Sequence, residues 1–222
     1  MTVFAPNNNF NTRIVFGKST FFSFFCPMPI YNYLREKKRV PEHLISSINV
    51  TNIDFMENNR IDKVLNYLND NGFLYTWYTH PEAPTIEIAR QYWQADGSKH
   101  CKNLFFRNHK GNRHYLVVLD CEHDLDIHDL EKRLHQGKLS FASPQRMERY
   151  LGLQPGSVSP FGLINDTDNH VPLFLDKNLA QESSLSFHPN DNRATVVIGV
   201  EEFMRYLNAV GNSYEFIELY DR

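Results

Sequence analysis

Cys101-Lys102-Asn103-Leu104-Phe105-Phe106-Arg107, then Asn108-His109-Lys110-Gly111-Asn112, then His114-Tyr115-Leu116-Val117-Val118-Leu119 is the run whose reading decides the fold. The first piece has the aromatic and apolar content of a strand. The middle piece is a glycine-containing hairpin turn. The last is apolar almost throughout rather than alternating, which places it at the centre of a sheet with both faces covered.

Working outward, the chain punctuates clearly. Downstream, Asp126 is a candidate cap for a helix through Leu130 and Leu134 that stops near Gly137. A short strand is predicted over 139–142. Ser143-Pro144 then opens a helix over 145–151, with Gly152 at its end. Further strands are predicted over 171–175, 185–187 and 194–200, and Glu201 starts a last helix running to Val210. Upstream, Ile61, Val64, Leu65 and Leu68 keep helical spacing, and Asn71-Gly72 closes that helix. Residues 73–79 alternate like a strand and end at His80-Pro81. Thr85 is a cap for a helix through Ile88, Ala89 and Tyr92. Strands and helices mix without a regular β-α-β rhythm, so the expected fold is α/β or α+β around one mixed sheet.

The chain has 222 residues, 41% of them hydrophobic, enough to bury a core. A net charge of -3 argues against a protein that coats nucleic acid by bulk electrostatics, but not against one that grips an RNA end through a local patch. Cys26, Cys101 and Cys121 form no paired motif and read as reduced thiols of a cytoplasmic protein. The cluster 21–25 is too short to span a bilayer, so no membrane association is expected. Residues 1–55 lack a sustained period and read as an N-terminal extension, disordered or outside the functional protein, with translation starting at Met56. The competing reading is a basic arm, Arg35-Glu36-Lys37-Lys38-Arg39, that touches RNA. Residues 56–222 form the functional domain.

Several chemistries are missing. The sequence has no phosphate-binding glycine loop, no nucleophile elbow and no metal-ligand spacing. His100, His109 and His114 surround the hairpin and read as solvated turn histidines. Cys101 reads as a small core thiol rather than a nucleophile.

Four segments taken in order carry a resemblance: Thr79-His80-Pro81, Lys102-Asn103-Leu104-Phe105, 156–162 (Gly-Ser-Val-Ser-Pro-Phe-Gly), and Phe187-His188-Pro189 followed by Asn192. Together they resemble the YbaK/ProX family, the editing domain found inserted in prolyl-tRNA synthetases and as free-standing deacylases. The resemblance implies a barrel-like mixed sheet surrounded by helices. It also implies hydrolysis of a mischarged tRNA-Pro at its acceptor end, with alanine the expected amino acid, and a relation to prolyl-tRNA synthetase. Cysteinyl-tRNA-Pro, another mischarged tRNA, or a non-catalytic tRNA- or synthetase-binding module are the alternatives. A monomer is expected, with no cofactor and no metal.

On that resemblance, Lys102 offers a fixed cation to the terminal phosphate or the developing oxyanion. Gly156 allows main-chain amides to approach the carbonyl or a water, with Ser157 in the same loop and Pro160 stiffening its far end. His188 orients the water or the substrate's amino group. Asn103 supports the site or binds the adenosine end, although it has the opposite strand parity from Lys102. His80 and Asn192 complete the set, with a plain turn residue the alternative reading of His80 and Asn192 a tie for the His188 loop. Attack comes from water or the free ribose hydroxyl without a covalent enzyme intermediate. Lys99, Arg107, Lys110, Arg146 and Arg149 are candidate phosphate contacts.

Overall fold

The strand His114–Asp120 has no exposed residue, because both of its faces are covered. The computed structural model describes residues 13–15 and 52–220. In chain order these form β1 (Arg13–Val15), α1 (Asn52–Asp70), β2 (Tyr75–Thr79), α2 (Ile86–Ala89), β3 (Lys99–Asn108), β4 (His114–Asp120), α3 (Ile127–Leu134), β5 (Leu139–Phe141) and α4 (Pro144–Leu151). A 3-10 turn (Pro160–Asn165), β6 (Leu173–Asp176), a second 3-10 turn (Lys177–Gln181), β7 (Ser184–Phe187), β8 (Ala194–Gly199), α5 (Val200–Val210) and β9 (Tyr214–Ile217) follow.

The strands lie in the order β1-β2-β8-β7-β3-β4-β6-β9, with β5 also on β3. The sheet is mixed: β3 runs antiparallel to β4 and β5 but parallel to β7, and β6 is parallel to both β4 and β9. Its end strands β1 and β9 do not pair with each other, so the sheet is open rather than a closed barrel. The mixed α/β class read from the sequence holds.

Side-chain alternation divides the core in two. Leu116 and Val118 of β4, Phe105 of β3, and Leu173 and Leu175 of β6 face one cluster, which is covered by Ile61, Val64, Leu65 and Leu68 of α1, Leu151 of α4, and Phe203, Tyr206 and Leu207 of α5. Tyr115, Val117 and Leu119 of β4 and Phe106 of β3 face the other, under Leu130 of α3. A central strand covered on both sides carries apolar residues on both faces, which is why 115–119 show no polar alternation.

Helix ends follow the sequence signals. The Asp126 carboxylate accepts the amides of His128 and Asp129 at 2.9 and 3.1 Å. Thr85 caps α2, but that helix stops at Ala89, short of the predicted Tyr92. Gly152 ends α4 with φ of 64°, a conformation costly for residues bearing a Cβ.

One feature of β3 positions the site. Along one edge it pairs with β4 from Cys101 to Arg107. Along the other, β7 takes only Lys99 and His100, and β5 takes only 106–108. Among the described residues, no strand pairs with 101–104 on that edge. Of the first 55 residues, Arg13–Val15 pairs antiparallel with β2, and α1 begins at Asn52. The phenylalanine cluster 21–25, Cys26 and the basic run 35–39 lie outside the described residues.

Candidate active site

The unpaired stretch of β3 borders a cavity of about 370 Å³. Lys102, Asn103 and their neighbours line it from β3, Gly156 and Val158 from the loop after α4, and Ser186, Phe187 and His188 from the end of β7. Residues 83–87, which lead into α2, form a further wall. Lys102 and Asn103 have opposite parity on the strand, yet both border the cavity. The reason is geometric: the opening lies at the strand's edge, where side chains from both faces can meet it, so no bulge is needed.

Each group has a definite state. Lys102 Nζ donates to the carbonyl of His123 at 2.9 Å and to Asp124 Oδ1 at 3.2 Å. An ammonium has three donors, so a third remains for a substrate oxygen. Asn103 Oδ1 is buried with no hydrogen-bond partner among the described residues, a costly condition for an acceptor unless a ligand's donor completes it. Gly156 has φ of 84°. The Ser157 amide donates to Gln154 O at 3.1 Å and is spent on the turn. The amides of Gly156 and Val158, which both line the cavity, have no acceptor among the described residues.

His188 Nδ1 lies 2.9 Å from the carbonyl of Ala194. A carbonyl only accepts, so Nδ1 carries the proton and Nε2 is left with its lone pair. Loss of water around the ring lowers the His188 pKa; the Ala194 bond opposes that shift and His80 adds to it. At neutral pH the ring is therefore uncharged.

These groups form an uncharged acceptor, two free amides and an ammonium around one opening. Cys101 and Cys121 both line it, but burial raises the Cys101 thiol well above its usual value and pushes Cys121 up to about 12, so neither is a ready thiolate. Comparison with known sequences decides the family: the sequence model of the aminoacyl-tRNA editing domain matches residues 80–206. The chain belongs to that family.

The editing domain's relatives agree. It is 42% identical over 145 residues to the prolyl-tRNA editing protein ProX of Acetoanaerobium sticklandii, covering 65% of this chain and 88% of that protein. It is 31% identical over 137 residues to prolyl-tRNA synthetase associated domain-containing protein 1 of Mus musculus, covering 60% and 80%. Among solved structures, a candidate trans-editing enzyme for prolyl-tRNA synthetase superposes with a TM-score of 0.56 at 23% identity, over 73% of this chain and 98% of that one, which establishes the shared fold. The chain is an aminoacyl-tRNA hydrolase. No helix among the described residues is long and apolar enough to cross a membrane.

Of the residues singled out from sequence, the fold brings Lys102, Asn103, Gly156 and His188 to the cavity and sets the others behind it. Ser157 is buried in the turn. Pro160 is buried, and its carbonyl accepts from Tyr206 Oη at 2.9 Å. His80 is buried between Pro81 O at 2.8 Å and Thr195 Oγ1 at 3.1 Å, with Thr195 itself on the cavity wall. Asn192 is buried, and its carbonyl accepts the Ala83 amide at 3.0 Å, tying down the turn that faces Gly156.

None of the five candidate phosphate-binding cations lines the cavity. Lys99 pairs with Asp120 at 3.0 Å, and Arg107 folds onto the carbonyls of Asn108 and His109. Arg146 bonds Gly111 O and His114, Arg149 lies over the Tyr150 ring, and Lys110 is exposed on the hairpin turn.

The reading of the hairpin histidines is corrected. His114 is fully buried, and His100 lines the cavity; only His109 is exposed. His100 precedes Lys102 by two positions on one strand, so period-two spacing was a signal for it. Trp93, Ser186, Thr195 and Glu87 also line the cavity without any local sequence signal.

Proposed function

We propose that the protein hydrolyses the ester of a wrongly charged tRNA-Pro in trans, with alanine as the amino acid removed. The observation that carries this reading is the single cavity bordered by Lys102, the Gly156 and Val158 amides, and His188. The names of the relatives support tRNA-Pro as the carrier.

The terminal adenosine enters along β3, and the third N–H of Lys102 takes a phosphate oxygen. The amides of Gly156 and Val158 hold the ester carbonyl. His188 Nε2 accepts a proton from a water whose oxygen bonds to the carbonyl carbon, while the C=O electron pair moves onto oxygen. Collapse then expels the ribose oxygen, which takes the proton back from His188. The chemistry uses no covalent intermediate and calls for no metal. Asn103 Oδ1 receives a donor from the substrate, and Glu87 brings a carboxylate to the rim on the side of the α-ammonium. Ser157, Pro160, His80 and Asn192 hold the loop and wall in place.

Alanine suits the task physically. A proline-sized synthetase pocket rejects a smaller side chain weakly, since one methylene is worth about 1–3 kcal/mol, whereas a small editing pocket can exclude the larger proline ring. Residues 56–222 constitute the working domain, acting as a monomer in the cytoplasm on the acceptor end.

The test is a deacylation panel of Ala-, Cys-, Ser- and Pro-tRNA-Pro and Ala-tRNA-Ala, run with the full chain and with a chain starting at Met56. Preferential hydrolysis of Ala-tRNA-Pro by both proteins is expected. Preference for Cys-tRNA-Pro would move the substrate to cysteine, and tRNA binding without ester loss would reduce the protein to a binding module.

A further inference from the structure

We infer that His100 is a second catalytic imidazole: a neutral Nε2–H donor to the ester oxygen as charge builds on it, with its tautomer set by Ser186. The inference rests on the hydrolytic function proposed above and adds a role to the same cavity.

The parallel pairing of β3 with β7 sets His100 opposite Ser186, just before β3 loses its partner strand. His100 Nδ1 lies 2.5 Å from Ser186 Oγ, and both residues line the cavity. Ser186 is 3% exposed, and His100 Nδ1 is the one partner of its hydroxyl among the described residues. If Nδ1 carried the proton, the buried serine hydrogen would have no acceptor, a condition native structures avoid. The hydroxyl therefore donates to Nδ1, and the ring proton resides on Nε2.

The ring is also fixed and uncharged. It stacks on Trp93 with centroids 3.8 Å apart and planes 8° from parallel. Burial holds its pKa down to about 4, helped by His188 and Lys99 and opposed by Asp96 and Asp120. A neutral N–H can still polarise a carbonyl, and without a positive charge it does not repel the substrate's α-ammonium. Among the described residues, Nε2 has no hydrogen-bond partner.

His188 is in the opposite tautomer, with Nδ1–H on Ala194 O and a lone pair on Nε2. One cavity thus holds two anchored imidazoles of complementary sense. Ester hydrolysis needs both, an acceptor for the water's proton and a donor for the oxyanion. His100 joins the loop amides in the second task.

Two measurements test this. In deacylation of the preferred mischarged tRNA, His100→Phe should lower kcat by about 10²–10³-fold with KM little changed, the loss seen when one oxyanion donor is removed. His100→Gln, which keeps an N–H, should recover part of that loss, and Ser186→Ala should give an intermediate kcat. Long-range ¹H–¹⁵N spectra of the free protein at pH 7 should show His100 protonated on Nε2, with tautomers mixing in Ser186→Ala. An Nδ1–H tautomer in the wild type overturns the inference without reference to any substrate. So does a His100→Phe protein that folds and keeps the wild-type kcat. A wild-type chain inactive on every charged tRNA overturns the proposed function and this inference with it.

Discussion

The ammonium of Lys102 is held 2.9 Å from the carbonyl of His123, across the turn that follows β4. That tether and the contact with Asp124 fix a long, flexible side chain beside the cavity before any substrate arrives. A preplaced charge loses little freedom on binding, which is what makes it effective towards a phosphate or an oxyanion. Lys102→Ala should therefore lower the rate of ester hydrolysis by about 10²-fold or more. Lys102→Arg should recover little of the activity, because a planar guanidinium cannot reproduce both tethers of a compact ammonium. Wild-type rates in Lys102→Ala would remove Lys102 from the mechanism.

The His188 tautomer gives a pH prediction. The lone pair on Nε2 works only while the ring is uncharged, so activity is retained above the folded pKa and lost as pH falls through it. Burial lowers that pKa, so the acid limb of kcat/KM should lie below the usual histidine value of 6.5. His188→Gln should lower the rate by about 10²–10⁴-fold and abolish that limb. A limb centred above 6.5 would contradict the environment described for the ring.

Much of this was legible in the sequence, for identifiable reasons. The hairpin and β4 could be read because a strand covered on both faces carries a continuous apolar run, here 115–119. The caps at Asp126 and Thr85 and the stop at Gly152 are local chemistry, written at single positions. β9 was missed: Tyr214-Glu215-Phe216-Ile217 is a short strand held by parallel pairing with β6, a long-range contact that leaves no local trace. The same limit applied to the site. Lys102, Asn103, Gly156 and His188 lie in recognisable motifs, whereas Ser186 matters only through its register with His100. His114 was misread because its partners, Arg146, Tyr150 and His170, come from α4 and the loop before β6.

Gly156 separates backbone geometry from packing. A Cβ there would meet nothing closer than 3.5 Å, so space is not the constraint. Its φ is 84°, and a left-handed backbone costs a side-chain-bearing residue about 1–2 kcal/mol. Gly156→Ala should therefore relax the loop, turn the two free amides away from the carbonyl and lower kcat by up to about 10²-fold. Gly152→Ala is the control away from the cavity: Gly152 also has positive φ, and a Cβ there would in addition meet Asn165 Nδ2 at 2.9 Å. It should reduce the unfolding temperature while largely sparing the specific activity of the folded protein. Equal kinetic losses in the two variants would mean that the Gly156 effect is only one of stability.

His114 makes the fold itself sensitive to acid. It is fully buried, packs against the Tyr150 ring with centroids 4.1 Å apart, and accepts from Arg146 Nη1 at 2.8 Å through Nε2. Its proton is therefore on Nδ1, which donates to His170 Nε2 at 2.9 Å. Both ring nitrogens are committed, and a second proton would have to displace Arg146. Burial, then His170 and the arginines 146, 149 and 107, hold the pKa to about 4. The unfolded chain titrates near 6.5, so as pH falls it takes up the proton first. The stability this group contributes is full above about 6.5 and drains away towards pH 4, by up to roughly 3 kcal/mol. Melting temperatures measured from pH 7.5 to 4.5 should fall across that window in the wild type. His114→Gln should melt lower at pH 7.5, having lost the ring contact with Tyr150, yet decline less steeply, because one of the buried histidines that resist protonation is gone. Parallel curves for the two proteins would show that His114 does not couple protonation to folding.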